Sequence, residues 1–329
     1  MRPPSRLGRA LRIGVPLAAV VPVVLVFREQ GGPAYDAVRE VGPAAALGSL
    51  AAVLVGLLAS AMVWRALLAD LGTTLGLRPA LHVFFLGQLG KYIPGSVFAI
   101  AAQMELGRSH GAPRSRVGTT GLVFMGVLVA TGLLTAAIAL PLTSPGALSD
   151  YAWVLLLLPV GLFCLAPPVL TRLVDLLLRA LRRDPLERPL SWRGTGTALA
   201  WGFAMWAAYG LHLFLLVRTQ GLDGGPHRLL LSLGAYALAW TAGLLFVVAP
   251  AGAGVRELAL VVSLAPVLPR GAALAVAVLS RLLMTVGDLL WAAVGALLRS
   301  DTGPGNPGQD GAGVATVTTA EQLGKAADA

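Results

Sequence analysis

Charge, lysine and cysteine are all scarce in this sequence. Only 12% of its 329 residues are Asp, Glu, Lys or Arg, 56% are hydrophobic, and the mean hydropathy is +0.77. A soluble domain carries about 25% charged residues, so this balance excludes an ordinary water-soluble fold and points to the bilayer as solvent. The single cysteine, Cys164, excludes an intramolecular disulfide and reads as a small apolar packing residue. Lysine occurs twice, at Lys91 and Lys325; the other basic residues are arginine, so Lys91 stands out inside an apolar region.

Catalytic and cofactor signatures are missing too. There is no H-E-x-x-H, C-x-x-C or G-x-S-x-G. Gly90-Lys91 resembles a phosphate-binding loop only superficially, because Phe85 stands where that loop needs Gly and Tyr92 where it needs Ser or Thr. Gly303, Gly305 and Gly308 spell a dinucleotide-like G-x-G-x-x-G, but no strand precedes them. No soluble stretch is long enough for a catalytic domain, so no cofactor, no metal site and no ATP-driven step by this chain alone are expected. Basic residues are dispersed between apolar runs instead of clustering with aromatics, so nucleic acid is not an expected partner despite the net charge of +9.

What the sequence has is long apolar runs. A helix needs roughly 20 apolar residues to cross about 30 Å of hydrocarbon. Stretches near that length lie at 13–27, 43–68, 118–140, 152–172, 195–217, 229–249 and 271–298. The first follows Arg2, Arg6, Arg9 and Arg12 without a small-residue cleavage site, and reads as an uncleaved helix. Residues 1–298 therefore form a polytopic all-α transmembrane bundle, and the Gly-, Thr- and Asp-rich segment 299–329 reads as a disordered tail.

Arginine distribution orients the bundle. The N-terminus and the loop 172–193, with Arg172, Arg179, Arg182, Arg183, Arg188 and Arg193, belong inside a plasma membrane; the segment between the first two spans and the "TSPGALSD" loop belong outside. "RLVDLLLRALRR" has the spacing of an amphipathic helix lying on the membrane surface. Trp64, Trp153, Trp192 and Trp201 fall near span ends, where aromatic anchors sit. His212, alone inside a span, reads as a hydrogen bond to a neighbouring helix.

Two stretches break the pattern. "GQLGKYIPGSVFAIAAQMELGR" and "VVAPAGAGVRELALVV" each place a Pro/Gly break and charged residues inside apolar sequence. Pro94 and Pro113-Arg114 recur at Pro250 and Pro269-Arg270, an offset of 156 in both cases (250 − 94 and 269 − 113). Irregular backbone at membrane depth survives only where protein or a water-filled cavity satisfies it; each break alone reads as a tight interfacial turn between ordinary helices, while the two together, with charges attached, read as the broken helices of a transport site. Either 81–107 form a re-entrant hairpin, which returns Arg108, Arg114 and Arg116 to the inside, or 74–93 cross fully and leave those arginines outside; the positive-inside pattern favours the hairpin. The charged candidates are Lys91, Glu105, Arg108, Arg256, Glu257, Arg281 and Asp288. Arg281 and Asp288, seven apart, share a helix face but are about 10 Å apart along it, too far to pair directly. Arg256-Glu257 follow "PAGAG", whose glycines permit positive φ ahead of a helix start. Arginine there suits a phosphate, and Glu257 suits a cap of its own helix.

On "KYIPGSVFAIAAQMELGR", "PAGAGVRELAL" and "LSRLL" the chain resembles the lysylphosphatidylglycerol synthase transmembrane regions, or flippase-like proteins, over about residues 10 to 298. The resemblance implies about eight spans, within six to nine, and a role in lipid translocation. It assigns motif positions to Pro94, Gly95, Gly254, Arg256, Glu257 and Arg281. Where many members carry Gly-Glu after the Pro-Gly, this chain has Phe98-Ala99, and its acid comes only at Glu105. Complete synthases add a soluble aminoacyl-transferase domain after this region; a chain ending in a disordered tail is expected to lack lysyl transfer. The expected substrate is an anionic lipid or polyprenyl-phosphate-linked sugar whose headgroup phosphate meets Lys91, Arg256 and Arg281. The alternatives are a membrane transferase using Asp36, Glu40 or Glu105 as base, and an accessory subunit of other cell-envelope proteins or of a homo-oligomer.

Overall fold

The structure is a computed structural model, and it describes residues 41–93, 97–143, 157–220, 225–246 and 252–298. The expected first span at 13–27, the Pro94-Gly95 and Pro250 breaks, Trp153 and the 299–329 tail lie outside these residues. The described residues are mostly helical, with no strand among them.

Among the described residues ten α-helices follow one another: α1 Pro43–Asp70, α2 Leu77–Gln88, α3 Val97–Arg108, α4 Arg114–Ala139, α5 Leu157–Leu165, α6 Pro167–Ala180, α7 Trp192–Val217, α8 Pro226–Leu245, α9 Val255–Leu264 and α10 Arg270–Leu297. Helices α1, α4, α7, α8 and α10 are each long and apolar enough to cross a bilayer, and the bent pair α5–α6 makes a sixth candidate. The protein is a multi-pass helical membrane protein.

The chain does not continue 152–172 as one straight helix. It breaks at Ala166, in extended backbone, ahead of Pro167-Pro168, and α6 leaves α5 at 77°. Proline lacks the N–H that would continue the ladder and disfavours helical backbone in the residue before it. The amphipathic helix foreseen from 172 thus begins at Pro167. It packs Leu170, Val174 and Leu178 inward and exposes Leu173, Leu176 and Leu177 beside Arg172 and Arg179.

Helices α1 and α7 form the antiparallel centre. Gly56 lies under the Tyr209 ring, and at one end the Asp70 carboxylate accepts from Ser191 N–H and hydroxyl at 2.9 and 2.6 Å. The ring of His212 sits between Ser49 Oγ, 2.6 Å from Nδ1, and Ser280 Oγ, 2.8 Å from Nε2, tying α7 to α1 and α10. This is the interhelical role its position suggested. Trp64 is a correction: instead of anchoring at an interface it is wholly buried, 5.9 Å from Phe84. Trp192, 72% exposed, and Trp201, 41% exposed, keep outward positions.

The two broken elements pack on this centre from opposite ends. Helices α2 and α3 are antiparallel, with Gly87 against Gln103 and Gly90 against Ala99. Each has twelve residues, about 18 Å, or roughly half the hydrocarbon thickness. Both open at the end that carries Asp70, Ser191 and the Arg116–Glu187 pair, where Arg116 Nη2 and Glu187 Oε2 are 2.5 Å apart. This is the hairpin geometry anticipated from the arginines. The ten-residue α9 runs antiparallel to α8, with Gly252 against Gly243, and returns to the other end.

The sequence echo coincides with real helix starts. Pro113 caps α4 and Pro269 caps α10, both in extended backbone. Helix α4 starts at the basic end, while α10 starts at the opposite one and runs parallel to α1, as Ser49, Leu54 and their partners near Ser280 and Trp291 show. The sets α1–α4 and α7–α10 are therefore related with inverted topology, the arrangement in which sites form where two broken helices meet.

Candidate functional site

Between the two broken elements lies a cavity of about 160 Å³. The 3₁₀ turn Leu89–Tyr92 at the hairpin tip forms one wall; Gly243, Gly252 and Arg256 of the α8–α9 turn form another, and Arg281, Thr285 and Asp288 of α10 close it. By helix rise, Arg281 lies about 16 Å from the start of α10 and Asp288 about 14 Å from its end, so the charges sit near mid-depth.

Two of these charges are neutralised. Lys91 Nζ is 2.6 Å from Asp288 Oδ2, and the Tyr92 hydroxyl donates to the same oxygen at 2.7 Å. Arg281 pairs with Glu257, whose other oxygen accepts the Gly254 N–H at 2.6 Å. Glu257 thus caps its own helix with one oxygen, as its position suggested, and serves Arg281 as counter-ion with the other. Arg281 and Asp288 share a face as their spacing requires and, being too far apart to pair, take separate partners.

Arg256 differs. Its guanidinium donates to the Tyr236 hydroxyl and lies 4.8 Å from the centre of that ring. Among the described residues it is the one charged side chain on the cavity wall without a partner of opposite charge. It is 9% exposed, and a buried cation of this kind calls for an anion. Its placement depends on the turn before it: Gly252 and Gly254 have φ of 70° and 81°, and a Cβ on Gly252 would sit 2.8 Å from the Gly243 backbone. Only glycine combines that φ with that approach.

Of the residues singled out from sequence, the structure gathers Lys91, Arg256, Arg281 and Asp288 on the cavity, with Glu257 and Gly254 directly behind. Pro94 and Gly95 are outside the described residues. Glu105 and Arg108 are separate. Their helix carries them to its last turn at the basic end, where Glu105 pairs with both Arg108 and Arg114 and none of the three lines the cavity. Burial pushes the Glu105 carboxyl up, but hydrogen bonds from Arg114 and Arg108 outweigh this and hold it below the ordinary value. Sequence reading passed over Tyr92, Tyr236, Gln88 and Gln103. Their signal was a polar group mid-run, away from the span ends where tyrosines and amides meet water.

A bundle of apolar helices of span length around a cavity with charged walls defines the class: a polytopic helical membrane protein. The chain belongs to the family of the lysylphosphatidylglycerol synthase TM region, whose model matches residues 11–292. A comparison with curated proteins finds none that matches this chain.

Proposed function

We propose that this protein moves a lipid with a phosphate headgroup between the leaflets of the plasma membrane, its N-terminus and basic end facing the cytoplasm. The observation that carries the reading is Arg256: a buried guanidinium without a counter-ion among the described residues, on a polar cavity near mid-depth, held by Tyr236. A phosphate oxygen pair matches the guanidinium fork, and the lipid tails remain in the surrounding hydrocarbon. The Lys91–Asp288 and Arg281–Glu257 pairs keep the rest of the wall polar without adding net charge. Opposed half-helices give the two repeats a way to expose the cavity alternately to either side.

The test is headgroup accessibility over time in proteoliposomes holding labelled phospholipids or polyprenyl-phosphate sugars, for wild type beside Arg256→Gln. Headgroups cross with wild-type protein and stop crossing with the variant. Crossing unchanged in a folded Arg256→Gln protein rejects Arg256 as the phosphate ligand; chemical conversion of the probe in place of crossing points to a transferase.

A further inference from the structure

Resting on that reading, we infer that the cavity selects a headgroup with one negative charge, a phosphodiester bearing uncharged hydroxyl groups, over zwitterionic or pyrophosphate-linked lipids. The argument is a charge count over the described residues around the cavity. Lys91 and Asp288 cancel, Arg281 and Glu257 cancel, and Arg256 remains, which leaves one positive charge. A singly charged phosphodiester completes neutrality. A second negative charge has no cation left to meet unless an existing pair is broken, and a zwitterion brings a cation beside Arg256; uncompensated charge of either sign is costly next to a guanidinium that is only 9% exposed.

The hydroxyl preference comes from the opposite wall. Gln103 is 2% exposed and lines the cavity, and its side-chain amide has no hydrogen-bond partner among the described residues. A methyl group on Gly87 would overlap Gln103 Cγ, so the bare Gly87 surface gives this side chain its place. Gln88 lines the same wall, also without a side-chain partner among the described residues. Amides that line a cavity without a protein partner leave donors and acceptors for a ligand, and hydroxyls can both donate to them and accept from them. The shared ligand chemistry is therefore a monoanionic diester next to a polyol. A glycerol-headed phospholipid supplies it, and so does a polyprenyl monophosphate sugar.

The test uses the full chain and four labelled lipids: phosphatidylglycerol, phosphatidylcholine, a polyprenyl-monophosphate sugar and a polyprenyl-pyrophosphate sugar. Crossing is measured in proteoliposomes, and short-chain forms of the same lipids are tested for thermal stabilisation of the protein in detergent. We expect at least one monoanionic diester to cross and to stabilise, and the zwitterion and pyrophosphate to lag by roughly tenfold or more; which diester leads names the source. Asp288→Asn keeps a partner for Tyr92 but frees Lys91, raising the count to plus two, and should shift preference toward the pyrophosphate lipid; Glu257→Gln frees Arg281 and provides the same test where the first variant does not fold. Equal behaviour of all four lipids, or a preference that neither variant moves, overturns the inference. Selective stabilisation without crossing of any lipid upholds charge selection and overturns translocation.

Discussion

Lys91 and Asp288, 2.6 Å apart, join the tip of the re-entrant hairpin to the last described helix across 197 positions of sequence. Asp288 is 6% exposed and Lys91 29%, so the carboxylate bears most of the desolvation. Lys91→Met leaves that carboxylate with only the Tyr92 hydroxyl and should cost about 3 kcal/mol, the lower end for breaking a buried pair. Lys91→Met with Asp288→Leu removes both charges and should recover all but about 1 kcal/mol. Thermal unfolding in detergent, followed by tryptophan fluorescence, measures both. A double variant no better than the single would show that the pair holds the hairpin by more than mutual neutralisation.

The hairpin also depends on close backbone approach. A Cβ on Gly90 would lie 2.7 Å from both Ala99 N and the Phe98 carbonyl carbon. Gly90→Ala should therefore force α2 and α3 apart and destabilise by about 1–3 kcal/mol, as overpacking does. Gly126, in α4, has nothing within 4 Å of the corresponding position, and Gly126→Ala should be neutral or slightly stabilising through helix propensity. Equal effects of the two substitutions would refute the packing argument.

The same contrast explains how far the sequence could be read. Helices α1, α4, α7 and α10 were legible because an apolar run of span length has few alternatives in a bilayer, and the Pro-Arg pairs at 113–114 and 269–270 marked helix starts because proline ends one helix and tolerates the next. Inversion of the repeat was not legible, since the offset of 156 says that two segments are alike and nothing about the end from which each enters. Arg281 and Asp288 could be placed on one face by periodicity, but their partners, Glu257 and Lys91, come from other elements and local spacing does not encode them. Glu105 misled for a related reason: a charge in an apolar stretch looks intramembrane until the length of α3 places it at the surface. Trp64 looked like an anchor from its place near a span end, yet Phe84 covers it.

His212 offers a separate test of the core. Its two ring nitrogens are satisfied by Ser49 and Ser280, all three side chains being wholly buried. Ser280→Ala strips the partner from Nε2 and should cost about 1–3 kcal/mol, the penalty of an unsatisfied buried polar group. Adding His212→Leu should return part of this, because the orphaned nitrogen disappears with the ring. A thermodynamic cycle over the two positions in detergent reads the coupling, and strictly additive losses would contradict it.

At the basic end, the Glu105 carboxyl is held below its ordinary value chiefly by its bonds to Arg114 and Arg108, against the opposing push of burial. A carboxyl with a lowered folded value contributes stability that is present above its unfolded value and is lost as pH falls through the folded one. Glu105→Gln should thus unfold more readily than wild type near neutral pH, by about 0.5–1 kcal/mol for a partly exposed pair, and match it in strong acid. Thermal midpoints of both proteins across an acid-to-neutral series check this. A difference that persists unchanged into acid would assign the effect to packing.

The inverted repeat makes a prediction about sidedness. Arg116 bonds Glu187, and a Cβ on Gly72 would lie 3.4 Å from Arg188, so the loop after α3 and the loop after α6 must share one face of the membrane. His227 approaches the Leu142 carbonyl, which puts the end of α4 and the start of α8 together on the other. With Cys164 changed to Ala, single cysteines at Ser109 and Arg183 should react with a membrane-impermeant thiol reagent from one side only, and cysteines at Leu142 and His227 only from the opposite side. In the proposed orientation the first pair is the cytoplasmic one, since positive-inside bias follows Arg108, Arg114, Arg116, Arg179 and Arg182 around it. Labelling of Ser109 and Leu142 from the same side would mean that α4 does not cross. The two half-helical elements would then enter from one face, and a cavity reached alternately from either leaflet would lose its structural basis.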